Sequence, residues 1–238
     1  MIRRPPRSTH CISSAASDVY KRQEHRSEHV NFGSVLGSDG KVLKSRSGSA
    51  VKLVDLLEES ISRASAIVNE KNPNLGEDEK KRIARAVGIG AVKFADLSND
   101  RRLDYVFDWS NMLSFEGDTA PYLQYAHARI CSIFTKVTDS AWKESSIDVK
   151  DEYELRLARC LLTYRDSFES SARDLMPNRL CNHLLSLASA FGSFYENCPV
   201  LITEDLKVRN SRLRLCDATA RALRSGLSLL GIDAPERM

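Results

Sequence analysis

Six stretches of this 238-residue chain repeat apolar residues at the 3.6-residue period of an α-helix, and that repetition confines the fold to a mainly helical one. Val54, Leu57, Ile61, Ala64 and Val68 alternate steps of three and four until Asn72-Pro73-Asn74 interrupts them. Ile83, Val87, Gly90, Phe94 and Leu97 form a second stripe that stops at Ser98-Asn99-Asp100. A third runs through Leu123, Ala126, Ile130, Ile133 and Val137, with Thr119 or Asp118 as candidate N-cap and Pro121 in the first turn, where its missing N–H costs nothing. Tyr153 to Phe168 is the fourth. Leu180 to Cys198 is the fifth, opened by Pro177, and Leu213 to Leu230 the last, ended by Gly231.

One segment has a different period. Residues 29–46 alternate loosely about Gly37-Ser38-Asp39-Gly40, which predicts a short β-hairpin. Because the last four helices follow one another on ordinary linkers, a helical bundle is expected from about residue 116 to the end, with everything before it packing elsewhere.

The net charge of +3 is unevenly placed. Residues 1–23 hold Arg3, Arg4, Arg7, Lys21 and Arg22 against Asp18 alone, so the remainder is not basic, and nucleic-acid contact would have to come from a local patch. That leader is rich in Arg and Ser like a transit peptide, yet Pro5 and Pro6 and the lack of an apolar face argue against an amphipathic helix. Its string closely resembles translated sequencing-adapter read-through, so 1–23 is expected to be a non-native, unpacked leader. No run approaches the ~18 apolar residues of a membrane span, and no membrane partner is expected. The six cysteines never form CxxC and mostly fall on or beside apolar stripes, which suits buried free thiols.

Four local signals bear on chemistry. His25-Arg26-Ser27-Glu28-His29 matches H-x-x-E-H, but the zinc pattern needs a helix and a strand is expected here, so no metal site is assigned. Tyr122, Tyr125, Arg129, Ser132 and Lys136 step along one helix face, putting two rings and two cations where unpaired bases could stack beside phosphate contacts, although tyrosines next to a core stripe are more often half-buried packing. Lys207, Arg209, Arg212, Arg214, Arg221 and Arg224 are opposed only by Asp217 within their run and make a candidate basic surface. Lys41, Lys44 and Arg46 lie in the Gly-flanked loop SDGKVLKSRSGSA, which is suited to a polyphosphate without being a Walker loop.

Taken in order, HVNFGSVLGSDGKVLKSRSG, VKLVDLLEESISRA, VGIGAVKFADL, DYVFDW, GDTAPYLQYAHARI, LCNHLLSLASAFGSFYENCPV and LCDATARALRSGLSLLGI with the terminal ERM resemble the C-terminal part of a cytosolic-type arginyl-tRNA synthetase, collinearly from about residue 28 to 238. The resemblance implies a class I enzyme that uses ATP with Mg2+ to activate arginine and then esterifies its tRNA in the cytoplasm, with no DNA partner. It implies that 24–115 ends a Rossmann-type catalytic domain and that 116–238 is an all-α anticodon-binding bundle. Lys41, Lys44, Ser45 and Arg46 would then face ATP phosphates in a KMSKS-type loop, while Tyr122, Gln124, Tyr125, Arg129, Tyr195 and Met238 would lie at the anticodon, joined by Arg221 from the basic run.

Departures from the family pattern include Asn31, Ser45, Asn111 and Asp118. No HIGH-type motif or arginine pocket precedes His29, so the chain alone is expected neither to activate arginine nor to hold ATP tightly. Two alternatives keep the same stripes: a helical protein-interaction module, and a general RNA-binding helical domain without a catalytic role.

Overall fold

The computed structural model describes residues 28–37, 40 and 52–238. Residues 1–31 separate from 32–238 as a unit of their own, and the following concerns the larger unit. Every helical stripe is helical, and the described residues form eight α-helices. They are α1 (Leu53–Lys71), α2 (Glu77–Leu97), the single turn α3 (Trp109–Met112), α4 (Ala120–Phe134), α5 (Glu152–Leu162), α6 (Tyr164–Asp174), α7 (Pro177–Asn197) and α8 (Leu206–Leu229), with a 3₁₀ turn at Ala141–Glu144.

The helix starts follow local chemistry. Thr119 caps α4 by accepting from the Tyr122 N–H, with Pro121 in the first turn. Asp151 and Glu154 form a reciprocal capping box on α5, and Asp205 accepts from two backbone N–H groups of α8. Glu154 does more than cap. Its side chain is buried and receives Arg212 Nε at 2.7 Å on one oxygen and the Lys150 N–H at 2.9 Å on the other, while Arg212 also donates to the Pro199 carbonyl. The pair ties the start of α5 to α8 and to the loop before it; breaking such a pair from one side leaves a buried charge uncompensated.

Two expectations about elements need correction. The alternation around Val35 does not make a hairpin. Val35–Leu36 (β1) pairs in parallel with Tyr105–Val106 (β2), some 70 positions away, in register Val35 with Tyr105 and Leu36 with Val106. Ser34 N–H donates to Asp104 Oδ1 and Gly33 N–H to the Arg101 carbonyl, contacts that alternation cannot reveal. The arm expected beyond Gly40 lies outside the described residues. The stripe from Tyr153 to Phe168 is two helices, α5 and α6, because the Thr163 hydroxyl donates back to the Arg159 and Cys160 carbonyls and its backbone leaves the helical region.

Nor does the part before residue 116 pack apart from the bundle. A large apolar cluster joins Leu123, Ile130, Leu157, Leu184, Phe191, Phe194, Leu213 and Leu223, and Phe94 of α2 sits inside it. A smaller cluster holds Ala64, Val68, Ile83, Val87, Ala91 and Met112, with the terminal Met238 packed against it. Thus α2 serves both cores, and the last residue reaches across to α1 and α2. Cys181, Cys198 and Cys216 are buried free thiols, with burial pushing them up to about 12, about 11 and about 12.

Candidate nucleic-acid interface

The strip on α4 opens onto a cleft. Helical steps of three and four bring Tyr122, Tyr125 and Arg129 to one side of the helix, and Tyr195 approaches from α7. The Arg129 guanidinium lies 4.7 Å from the Tyr125 ring centroid and 5.2 Å from that of Tyr195, and it donates to the Tyr125 hydroxyl at 3.0 Å. A cation held between two rings is attracted by both quadrupoles and orients them. Phe115 meets Tyr125 edge-on at 6.4 Å, and Lys71 Nζ stands 4.8 Å over the Phe115 ring. Tyr125 and Tyr195 nevertheless stay 38% and 42% exposed, so each retains ring surface for a ligand.

A cleft of about 550 Å³ is lined by Tyr122, Tyr125, Arg129, Phe191, Lys71 and Met238, among others. That volume falls within the ~300–1,000 Å³ of pockets that take small organic groups. Tyr122 is half-buried at the cleft, and desolvation pushes its phenol up, keeping it a neutral hydrogen-bonding group.

The sequence-derived set therefore divides. Tyr122, Tyr125, Arg129, Tyr195 and Met238 come together. Gln124 does not join them at the surface: its side chain is 0% exposed and its Nε2 donates to the backbone carbonyls of Ala86 and Asp233. Its position between two outward tyrosines turns it to the neighbouring face, toward the protein interior. Arg221 is elsewhere on α8 and pairs with Asp217 at 2.9 Å. The basic run is likewise less available than its formal charge suggested. Arg209 pairs with Asp139, Arg212 with Glu154 and Arg224 with Glu236, while Arg214 donates to the Lys143 carbonyl. Lys41, Lys44, Ser45, Arg46 and most of the H-x-x-E-H stretch lie outside the described residues.

Lys71 and Phe115 were not foreseen. Lys71 is close to the strip only in space, since it ends α1 just before the Asn72-Pro73 stop and no periodicity marks a helix end as the wall of a cleft formed 50 residues later; Phe115 precedes α4 in a loop that carries no periodic signal. Among the described residues no group of three or more His, Cys, Asp or Glu could hold a metal ion, and no helix is long and apolar enough to cross a membrane.

Known proteins place the chain in a family. The model of the DALR anticodon binding domain matches residues 123–238, which contain Tyr125, Arg129, Tyr195 and Met238, and the model of the class I tRNA synthetase catalytic domain for arginine matches residues 9–109. The chain belongs to the arginyl-tRNA synthetase family. An arginine–tRNA ligase of Haemophilus influenzae is 51% identical over 213 residues, covering 89% of this chain and 37% of the relative; one of Citrobacter koseri is 48% identical over the same span. The Thermus thermophilus arginyl-tRNA synthetase structure superposes with a TM-score of 0.80 at 36% identity over 88% of this chain and 35% of that one. The Plasmodium falciparum enzyme gives 0.76 at 28% identity over 96% and 39%. The chain thus spans little more than a third of the length of these synthetases. The match to the catalytic model begins at residue 9, inside the stretch expected to be foreign.

Proposed function

We propose that this chain carries the tRNA-reading end of an arginine–tRNA ligase, the enzyme that uses ATP, with Mg2+, to attach arginine to its tRNA in the cytoplasm. On this reading residues 116–238 bind the anticodon loop and 24–115 contribute the end of the catalytic domain, where Lys41, Lys44, Ser45 and Arg46 would meet the ATP phosphates. The observation that carries the proposal is the cleft lined by Tyr122, Tyr125, Arg129 and Met238, with Tyr195 packed on the far side of the Arg129 guanidinium. Exposed rings offer stacking to any base, and the neighbouring cations Arg129 and Lys71 offer attraction to the backbone that carries it.

The first prediction tests the cleft. Stacking on one base is worth ~1–3 kcal/mol by alanine substitution, so Tyr125→Ala should weaken binding of an arginine-tRNA anticodon stem-loop by roughly 5- to 150-fold. The dependence on salt should hardly change, because no phosphate contact is lost. Fluorescence anisotropy over a salt series reads both quantities. An unchanged affinity in a variant whose melting temperature has fallen would assign the ring to packing and remove the base-binding role.

A further inference from the structure

We infer that Gln124 and His127 are positioning residues for the cleft: from inside α4 they latch the segment 232–238 so that Met238 forms part of the cleft wall. The inference rests on the RNA-binding reading of the cleft and adds two residues that do not face it.

The segment has little structure of its own. Helix α8 ends in a Schellman motif, with Gly231 at φ +68°, its N–H donating to the Ser228 carbonyl and the Ile232 N–H to the Leu227 carbonyl. Lys93 donates to the Gly231 carbonyl, and Ile232 is buried. Beyond it, residues 233–238 form neither helix nor strand, so what places Met238 is the set of side chains that hold this stretch. Two of the ties are exposed ion pairs, Arg224 with Glu236 at 2.6 Å and Arg237 with Glu79 at 3.6 Å, and pairs of that kind contribute little in water.

The other two ties are buried. Gln124 Nε2 donates to the Asp233 carbonyl at 2.8 Å and to the Ala86 carbonyl of α2 at 3.1 Å, so one amide joins the segment, α2 and α4. His127 Nδ1 lies 2.9 Å from the Pro235 carbonyl; because a carbonyl only accepts, Nδ1 bears the proton and Nε2 faces Cys131 Sγ at 3.7 Å. Both side chains are 0% exposed, and neither has water with which to replace a lost partner. They sit three residues apart on the helix whose adjacent face carries Tyr122, Tyr125 and Arg129. One rigid helix therefore sets the position of the rings and, through the latch, of the methionine across the cleft from them.

The experiment uses the 238-residue chain and the same anticodon stem-loop. A chain ending at Ile232 leaves α4 unsubstituted and should bind roughly tenfold more weakly, as should Met238→Ala, a loss equivalent to ~1.4 kcal/mol. His127→Phe and Gln124→Leu should reproduce that factor, and adding Met238→Ala to either should cause no further loss, since the residues act through one contact. His127→Asn keeps a donor near the Nδ1 position and should restore most of the affinity. A merely structural role would lower the melting temperature while the affinity of the folded fraction, or its additivity with Met238→Ala, stayed as for independent sites; that result overturns the inference. Wild-type binding by the chain ending at Ile232 overturns it without reference to any core substitution. Should Tyr125→Ala weaken binding while removal of 233–238 does not, the latch fails and the RNA-binding cleft stands; should Tyr125→Ala also have no effect, both fail.

Discussion

Tyr125 and Gln124 are neighbours in sequence with opposite fates, and the 100° turn per residue of a helix is the whole reason. The ring is left at the mouth of a cleft and the amide is driven inside, where its worth lies in two backbone carbonyls. A polar residue in a nucleic-acid-facing motif thus need not touch nucleic acid. His127 carries a further consequence. Burial lowers its affinity for a proton, with Arg224 adding to the effect and Glu236 and the Pro235 carbonyl opposing it; His183 is lowered by burial as well, with a backbone hydrogen bond to Cys160 opposing. Each imidazole is lowered from its ordinary value of 6.5, so the unfolded chain binds protons that the folded one resists. Stability is fully present above that value and is lost as the pH falls through the depressed folded values. The melting temperature should therefore drop between pH 7 and pH 5.5, and His127→Asn should flatten part of that drop. A profile as steep in His127→Asn as in the parent would show that this imidazole is not a source of it.

At the scale of elements, the helices are read from their stripes but their spacing is decided by small residues. Gly88 of α2 faces α1 so closely that a Cβ would lie 2.7 Å from the Ser60 carbonyl oxygen and 2.8 Å from the Ile61 nitrogen, both backbone atoms that cannot swing aside. Gly88→Ala would gain ~1 kcal/mol of helix propensity and lose more through forced separation, since overpacking costs ~1–3 kcal/mol. A fall in melting temperature of a few degrees is expected, at roughly 2–4 °C per kcal/mol for a chain of this size. Because α1 ends in Lys71 at the cleft, anticodon stem-loop affinity should fall with it. A stabilised Gly88→Ala protein would mean that α1 and α2 can separate freely. The mistaken single helix from Tyr153 to Phe168 belongs to this scale too: the apolar period continues across Thr163, and only the hydroxyl's bonds to Arg159 and Cys160 reveal the break.

On the scale of the molecule, the two apolar clusters share α2, which gives Phe94 to one and Val87 and Ala91 to the other, and Met238 reaches from the end of the chain into the smaller. Gln124, Lys93 and Arg237 add polar ties between the same parts. Elements that share a core helix lose their packing together. Thermal unfolding of residues 32–238 should accordingly be one transition, coincident by far-ultraviolet circular dichroism and by tryptophan fluorescence, which senses Trp109 beside the smaller cluster and Trp142 in the larger. Two separated transitions would show that the clusters fold independently and that α2 is only a spacer.

How much of this was legible beforehand follows from the range of each interaction. The helices, the Thr119 cap, Pro121 and Pro177 in first turns, and the Gly231 stop are set by residues within a few positions of one another, so the linear order contains them. The ring-and-cation strip was visible for the same reason: one helix carries Tyr122, Tyr125 and Arg129. What the linear order could not hold was the partner of each face. Parallel pairing of Val35 with Tyr105, the pairing of Arg212 with Glu154, the backbone carbonyls of Ala86 and Asp233 that receive Gln124, the approach of Tyr195 to Arg129, and the meeting of Lys71 and Met238 at one cleft all join residues far apart along the chain. Periodicity determines that a face is buried; only the tertiary structure decides against what, because apolar burial is non-directional and many packings would satisfy the same stripes.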